Sequence, residues 1–398
     1  MITLLIIGCI LLAGTIIFQV ARINEMIKSA RGEEISSEKS NNASAVGIVV
    51  FGIAFLVLTI WSSWYYKNQM MGYGPHISAS EQGVSIDKLF NVTLIMTGIV
   101  FVITHILLFY FSWRYRYKKG RKVLFMPHDN KLEVIWTIAP SIVMAYLVIN
   151  GLVVWNKVMD TVKPGDNHIE IEATGMQFAW ILRYPGLDNK LGTRNFKLID
   201  GTNDLGQDWK DPKNWDDFKP DELVLPKGRK VKVRINSRDV LHSFFLPHFR
   251  VKMDAVPGIP TSFVFTPSLT TEEYKQNLRK YPEWNVPADP ADPTGKKKWE
   301  TFTYELACAE LCGSSHFAMR RPVRVVSDAE YKVWVKSQKS YYMENVRGKD
   351  FDPNKGKTIS IDPAPSTTPA PEVKSDSTGG TKTEIKKDGA DTSLKKIK

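Results

Sequence analysis

The chain has 398 residues, a formal net charge of +11, three cysteines, and 43% hydrophobic against 24% charged residues. That length admits two or three domains, the ordinary charged fraction excludes a wholly disordered chain, and three cysteines cannot staple a small secreted scaffold. The mean hydropathy of −0.20 averages two unlike halves, because nearly all the long apolar runs precede residue 156.

Four runs, at residues 1–20, 45–64, 89–113 and 134–155, reach the roughly 20 apolar residues a helix needs to cross about 30 Å of hydrocarbon. One such run could be a buried core helix; four with almost no internal charge read as a membrane anchor of four transmembrane helices. Aromatic residues mark the ends of three of them, in Trp61, Trp64, Tyr65 and Tyr66, in Tyr110, Trp113 and Tyr115, and in Trp155, as at a membrane–water boundary. The first run could instead be a cleaved signal, with Ile6-Ile7-Gly8-Cys9 as a lipoprotein box. It lacks the basic leader such signals carry, so a retained span is expected. The single histidine within the four spans, His105 in the third, is expected to pack against a neighbour.

Loop charge sets the orientation. Arg22, Lys28, Arg31 and Lys39 follow the first span, and Arg114, Arg116, Lys118, Lys119, Arg121, Lys122 and Lys131 follow the third, whereas only Lys67 and Lys88 lie between the second and third. The positive-inside rule puts both termini, and everything after Trp155, on the outer face. Much of the basic charge is thereby an orientation signal, and nucleic acid is not expected as a partner.

Beyond the last span, residues 168–267 alternate at period two, as in Ile169-Glu170-Ile171-Glu172-Ala173 and Val231-Lys232-Val233-Arg234-Ile235. That pattern predicts half-buried strands of a sandwich or barrel. Residues 187–222 and 269–300 read as surface insertions, the second with a short helix at 271–279, and a further helix is expected at 329–340. Residues 346–398, mostly Pro, Ser, Thr, Lys, Asp and Gly from Lys349 onward, cannot bury enough apolar area to offset chain entropy and are expected to be disordered.

The chemistry lies in Cys308-Ala-Glu310-Leu-Cys312-Gly-Ser-Ser-His316-Phe-Ala-Met319. Two thiolates, an imidazole and a thioether form a soft donor set that favours copper over hard cations, and the thioether argues against structural zinc. A second imidazole is needed from another strand, and His242 is the best candidate. Taken singly, the residues have plainer explanations: a reducible cysteine pair, or a methionine in a core. A membrane-anchored copper chaperone or thiol–disulfide protein using Cys-x3-Cys is therefore the alternative function.

These motifs resemble subunit II of the haem-copper cytochrome c oxidases over roughly residues 85–340. Glu133-Val-Ile-Trp-Thr-Ile-Ala-Pro140 resembles the start of that family's second membrane helix. Asp239-Val-Leu-His242-Ser243 with Lys252-Met-Asp-Ala-Val-Pro-Gly258 resembles the segment of its first copper histidine, and Cys308 to Met319 its copper loop. The resemblance implies a cupredoxin-like, all-β Greek-key barrel holding a dinuclear copper centre, CuA. Cys308 and Cys312 would bridge both coppers, His242 and Met319 would complete one, and His316 with the Glu310 carbonyl the other. The Glu310 side chain would hold magnesium shared with subunit I. Electrons would come from a cytochrome c and leave for subunit I, where oxygen is reduced to water and protons are pumped, so this chain would hold no catalytic residue of its own. A bacterial inner membrane would house the complex with its other subunits.

The expected division is then an extra pair of transmembrane helices at 1–66, the family's helix hairpin at 85–156, the copper domain at 157–345 and the tail. The sequence departs from the family in two places: the extra pair, and Phe178 where the family has the tryptophan that receives the electron. Trp180 is the other candidate for that task. The acid excess of the 187–222 insertion is small and reads as a solvated loop. No Cys-x-x-Cys-His occurs, so the chain carries no c-type haem and the donor is separate. A quinol oxidase subunit II would lack the copper ligands present here.

Overall fold

A computed structural model of the chain describes residues 2–31, 33–69, 74–75 and 77–359; the greater part of the expected tail, 360–398, lies outside the described residues. Four long helices come first: α1 (Ile2–Arg31), α2 (Glu33–Tyr65), α3 (Glu81–Arg114) and α4 (Asn130–Val158). Among the described residues three segments are long and apolar enough to cross a membrane, Ser37–Tyr65, Glu81–Arg114 and Asn130–Val158. They contain the second, third and fourth expected spans.

Helix α2 packs on α3 through aromatic rings. Phe55 stacks on His105 at 5.5 Å between centroids, and Phe51 meets Phe109 edge-on at 6.2 Å. His105 Nδ1–H donates to the Phe101 carbonyl at 2.7 Å, so this histidine is a packing residue as expected.

The start of α3 is bolted to the outer domain. Ser80 caps the helix by accepting Gly83 N–H at 2.9 Å and donates to the Phe249 carbonyl at 2.6 Å. Gln82 Oε1 accepts Thr266 N–H at 2.9 Å, and Arg250 pairs with Asp87 at 2.8 Å. An unsatisfied helix N-terminus would cost about 1 kcal/mol per lost cap; here the capping serine also fixes where the outer domain stands on its anchor.

The outer domain is a two-sheet sandwich. Its strands are β1 (His168–Met176), β2 (Ala179–Arg183), β3 (Leu223–Pro226), β4 (Lys230–Ser237), β5 (His242–Leu246), β6 (Val251–Ala255), β7 (Thr261–Phe265), β8 (Tyr304–Cys308) and β9 (Arg320–Val326). One sheet has the order β2-β1-β4-β7, the other β3-β9-β8-β5-β6, with β1/β4 and β3/β9 parallel. Alternation places Val231, Val233 and Ile235 inward with Ile169, Ile171 and Ala173, against Phe244, Phe249, Phe265 and Tyr304, giving the core expected of aligned sheets. Helices α5 (Thr271–Leu278) and α6 (Lys298–Thr301) precede β8, and α7 (Asp328–Ser337) and α8 (Tyr341–Asn345) follow β9.

Four expectations need correction. Residues 187–222 are not a solvated loop. They cover the outer face of β1 and β2 and enclose Arg183, which donates to Glu172 at 2.7 Å, Asp217 at 2.8 Å, Asn214 at 2.9 Å and the Gly192 carbonyl at 3.0 Å. A guanidinium buried among β-strands needs such partners, and the polar insertion supplies them. The 269–300 segment is likewise not purely superficial, since Tyr274 and Leu278 of α5 enter the core. Nor does order stop at 346. Val346 is buried with Trp209 and Tyr342, and Asp352 accepts Tyr342 Oη–H at 2.6 Å, Asn354 N–H at 2.8 Å and Gly348 N–H at 3.0 Å. Helix α7 ends before 340 because Ser340 caps the next helix, accepting Met343 N–H at 3.2 Å.

Candidate metal centre

Strand pairing assembles the site. Antiparallel β5 and β8 set Phe244 opposite Cys308, so His242, two residues back on the same face, arrives beside Cys308 at the end of the sandwich. The chain then leaves β8 and returns as β9, and the loop between is closed at its neck by Cys308 N–H to the Met319 carbonyl at 3.2 Å and Ala309 N–H to the Ser243 carbonyl at 3.0 Å. Gly313 turns the loop at φ +139°, a backbone region that favours glycine.

The donor atoms converge. Cys308 Sγ lies 3.9 Å from His242 Nδ1 and 3.2 Å from the Glu310 carbonyl, while Cys312 Sγ lies 3.5 Å from His316 Nδ1 and 3.9 Å from Met319 Sδ. Ligand atoms of His242, Cys308 and Cys312 all fall within 4.8 Å of one another. The two cysteines are free thiols, and they are buried with His242 and Met319. Burial, then the neighbouring Cys308, pushes the Cys312 thiol up to about 11. Crowded protonated thiols of this kind are what a cation converts to thiolates, with release of their protons. Five donors of soft or borderline character, two cysteines, two histidines and a methionine, in place of the four cysteine and histidine donors of a structural zinc site, fit copper.

A carboxylate and an amide stand behind the ligands. Asp239 Oδ1 accepts His242 Nε2–H at 2.8 Å, leaving Nδ1 as the bare nitrogen aimed at the sulfurs. Burial acts to raise Asp239, but the hydrogen bonds from Gln177 N–H and His242 outweigh it and hold the carboxyl below its usual value. Gln177 donates through Nε2 to the Cys312 carbonyl at 2.5 Å. Neither residue was picked out from the sequence as part of the site. The Asp-x-x-His spacing of Asp239 and His242 could have suggested the first, and nothing local could have suggested the second.

The two aromatic candidates occupy different places. Trp180 is fully buried, edge-on to His242 at 6.0 Å and to Phe244 at 5.6 Å between centroids. Phe178 is half-buried at the β1–β2 turn, so close to Gly313 that a Cβ there would come within 2.8 Å of its ring. The Glu310 side chain is exposed, as are Leu311 and Phe317 beside it.

A two-sheet sandwich that stands on membrane helices and closes one end over a Cys, Cys, His, His, Met cluster is a membrane-anchored, cupredoxin-like copper domain. The family model for the transmembrane domain of cytochrome c oxidase subunit II matches residues 68–154, and that for its periplasmic domain matches residues 169–274. The alternative cytochrome c oxidase subunit 2 of Bradyrhizobium diazoefficiens is 31% identical over 75% of this chain and 93% of that protein. Cytochrome c oxidase subunit 2 of Thermostichus vulcanus is 24% identical over 71% of this chain and 82% of that protein. The chain belongs to the cytochrome c oxidase subunit II family and is a membrane-anchored subunit of an oxidoreductase complex.

Proposed function

We propose that His242 and the Cys308–Met319 loop hold a dinuclear copper centre, CuA, and that the chain takes electrons there from a cytochrome c and hands them to the haem and copper centres of subunit I. Oxygen reduction to water and proton pumping then belong to the assembled complex. The observation that carries this reading is the meeting of ligand atoms of His242, Cys308 and Cys312, all three buried, within 4.8 Å of one another. The thiolates of Cys308 and Cys312 would be donors shared by the pair, with His242 and Met319 as further donors on one side and His316 with the Glu310 carbonyl on the other.

Bound copper supplies a one-electron relay. The protein supplies the rest. Strands β5 and β8 fix the two sides of the site, so the donors hold nearly the same positions in both oxidation states. Asp239 keeps the Nε2 proton on His242, which sets the tautomer that presents Nδ1. Burial of both sulfurs and Met319 keeps water from the donors. Loading requires the proton that burial holds on Cys312 to leave, so uptake is favoured as pH rises.

Phe178 rather than Trp180 lies where an incoming electron meets the surface, because Trp180 offers no exposed area. The exposed Glu310 carboxylate would supply an oxygen ligand to a magnesium ion shared with subunit I. Helix α1 joins the three apolar helices as a fourth span, the sandwich follows a Greek-key path, and both termini and the copper domain stand on the outer side of a bacterial plasma membrane. The proposed division is an extra helix pair at 1–66, a helix hairpin at 85–156 and a copper domain at 157–345, to which the packing of Val346 and Asn354 on Trp209 adds the segment up to 359. Copper counting on the purified full chain tests the reading: a pair of coppers per chain is expected, lost in Cys312→Ser without loss from the membrane. A single copper, or a pair that survives Cys312→Ser, contradicts it.

A further inference from the structure

We infer that Gln177 is a positioning residue of this copper centre, one that ties together the two separate pieces of chain that carry its ligands. The inference rests on the copper reading above and adds to it a residue that touches no metal. Backbone N–H of Gln177 donates to Asp239 Oδ2 at 2.7 Å, and the other oxygen of the same carboxylate holds His242 Nε2 at 2.8 Å. The side-chain Nε2 donates to the Cys312 carbonyl at 2.5 Å. One residue on the β1–β2 turn, a third piece of chain, is thereby hydrogen-bonded to the support of the histidine ligand and to the peptide of a bridging cysteine.

The surroundings keep room for this tie. A Cβ on residue 313 would come within 3.0 Å of Gln177 Nε2 and 2.8 Å of the Phe178 ring, so glycine at 313 lets the ligand loop lie against the turn. Gln177 is itself exposed, which leaves its side chain little packing to contribute; its hydrogen bonds are its role. With Oδ2 occupied by Gln177, the Asp239 carboxylate has only Oδ1 to turn toward His242. The amide on the Cys312 carbonyl draws charge from the peptide that follows the thiolate, which acts on the potential of the centre and on the mobility of the loop.

Gln177→Leu removes the side-chain donor and keeps the backbone N–H to Asp239; Gln177→Glu keeps the shape and replaces the donor by an acceptor, and serves also if the leucine variant folds poorly. Both are made in the full-length chain and loaded with copper. A net hydrogen bond of the usual strength corresponds to copper release to a chelator about tenfold faster than wild type, with a shifted reduction potential and altered hyperfine coupling of the cysteine β-protons. The unfolding temperature of the metal-free protein is expected to stay at the wild-type value. Lowered metal-free stability with unchanged potential and hyperfine coupling would mean a merely structural residue and overturn the inference, as would wild-type behaviour in every readout. A wild-type chain that takes up no copper pair overturns the copper reading, and this inference with it.

Discussion

Replacing Gly175 by alanine strikes the centre from behind. A Cβ on this β1 residue would lie 2.8 Å from His242 Cδ2, 2.9 Å from Cγ and 3.2 Å from Cβ. Carbon atoms pack at about 3.5–4.0 Å, so the imidazole must retreat by roughly 0.7 Å or the strand must give way. Trp180, the cross-strand partner of Gly175 on β2, approaches the same ring with 6.0 Å between centroids, so β1 and β2 crowd the imidazole together. A shift of that size also stretches the 2.8 Å bond to Asp239 to the edge of the hydrogen-bonding range. Overpacking of this kind costs about 1–3 kcal/mol, and loss of a ligand's outer hydrogen bond lowers metal affinity about 10–100-fold. Copper affinity by chelator competition and the unfolding temperature of the metal-free protein are the measurements. The expected result is weaker copper binding with unfolding lowered by about 2–4 °C for each kcal/mol. Wild-type affinity and an unchanged copper spectrum would refute the packing of β1 against His242.

Arg183→Met removes the cation beside Asp217, whose carboxyl burial already raises to about 8, while Glu172 keeps Arg194, and the buried hydrogen bonds left unmade are worth about 1–3 kcal/mol; limited proteolysis should then cut within residues 187–222, and resistance equal to wild type would show that the insertion is held by other means. Hydrogen bonds from Tyr342, Gly348 and Asn354 outweigh burial and hold Asp352 down at about 2, below the ordinary aspartate value of 3.8. Its contribution is therefore intact above about pH 3.8 and is lost as pH falls toward 2. Amide exchange at Gly348 and Asn354 should rise over that window in the wild type and be fast already at pH 7 in Asp352→Ala; flat exchange in both would contradict the latch.

The donor cluster was legible because metal chemistry asks for particular residue types at short spacings, and Cys308, Cys312, His316 and Met319 fall in one loop. His242 was legible as a histidine at a strand start, and pairing of β5 with β8 brings it to Cys308. The supports were not. Gln177 reaches Cys312 only because the β1–β2 turn folds over the loop, a contact across 135 positions that no local pattern encodes. Residues 187–222 read as solvated because Asp, Asn and Lys usually are; they are not because β2 places Arg183 where only polar partners can accept it, and because Leu205, Trp209 and Phe218 are buried beside those partners. The segment after Val346 misled in the same way, since its order comes from Asp352 and Arg347 rather than from apolar burial. The sandwich core, by contrast, followed from the period-two alternation of β1 and β4.

Electron paramagnetic resonance of the copper-loaded, full-length chain tests the central claim most directly. One unpaired spin shared by the coppers between Cys308 and Cys312 should show hyperfine structure from a pair of equivalent nuclei. A spectrum of a single copper nucleus, or the absence of any copper signal after loading, would contradict the assignment of this loop as an electron relay.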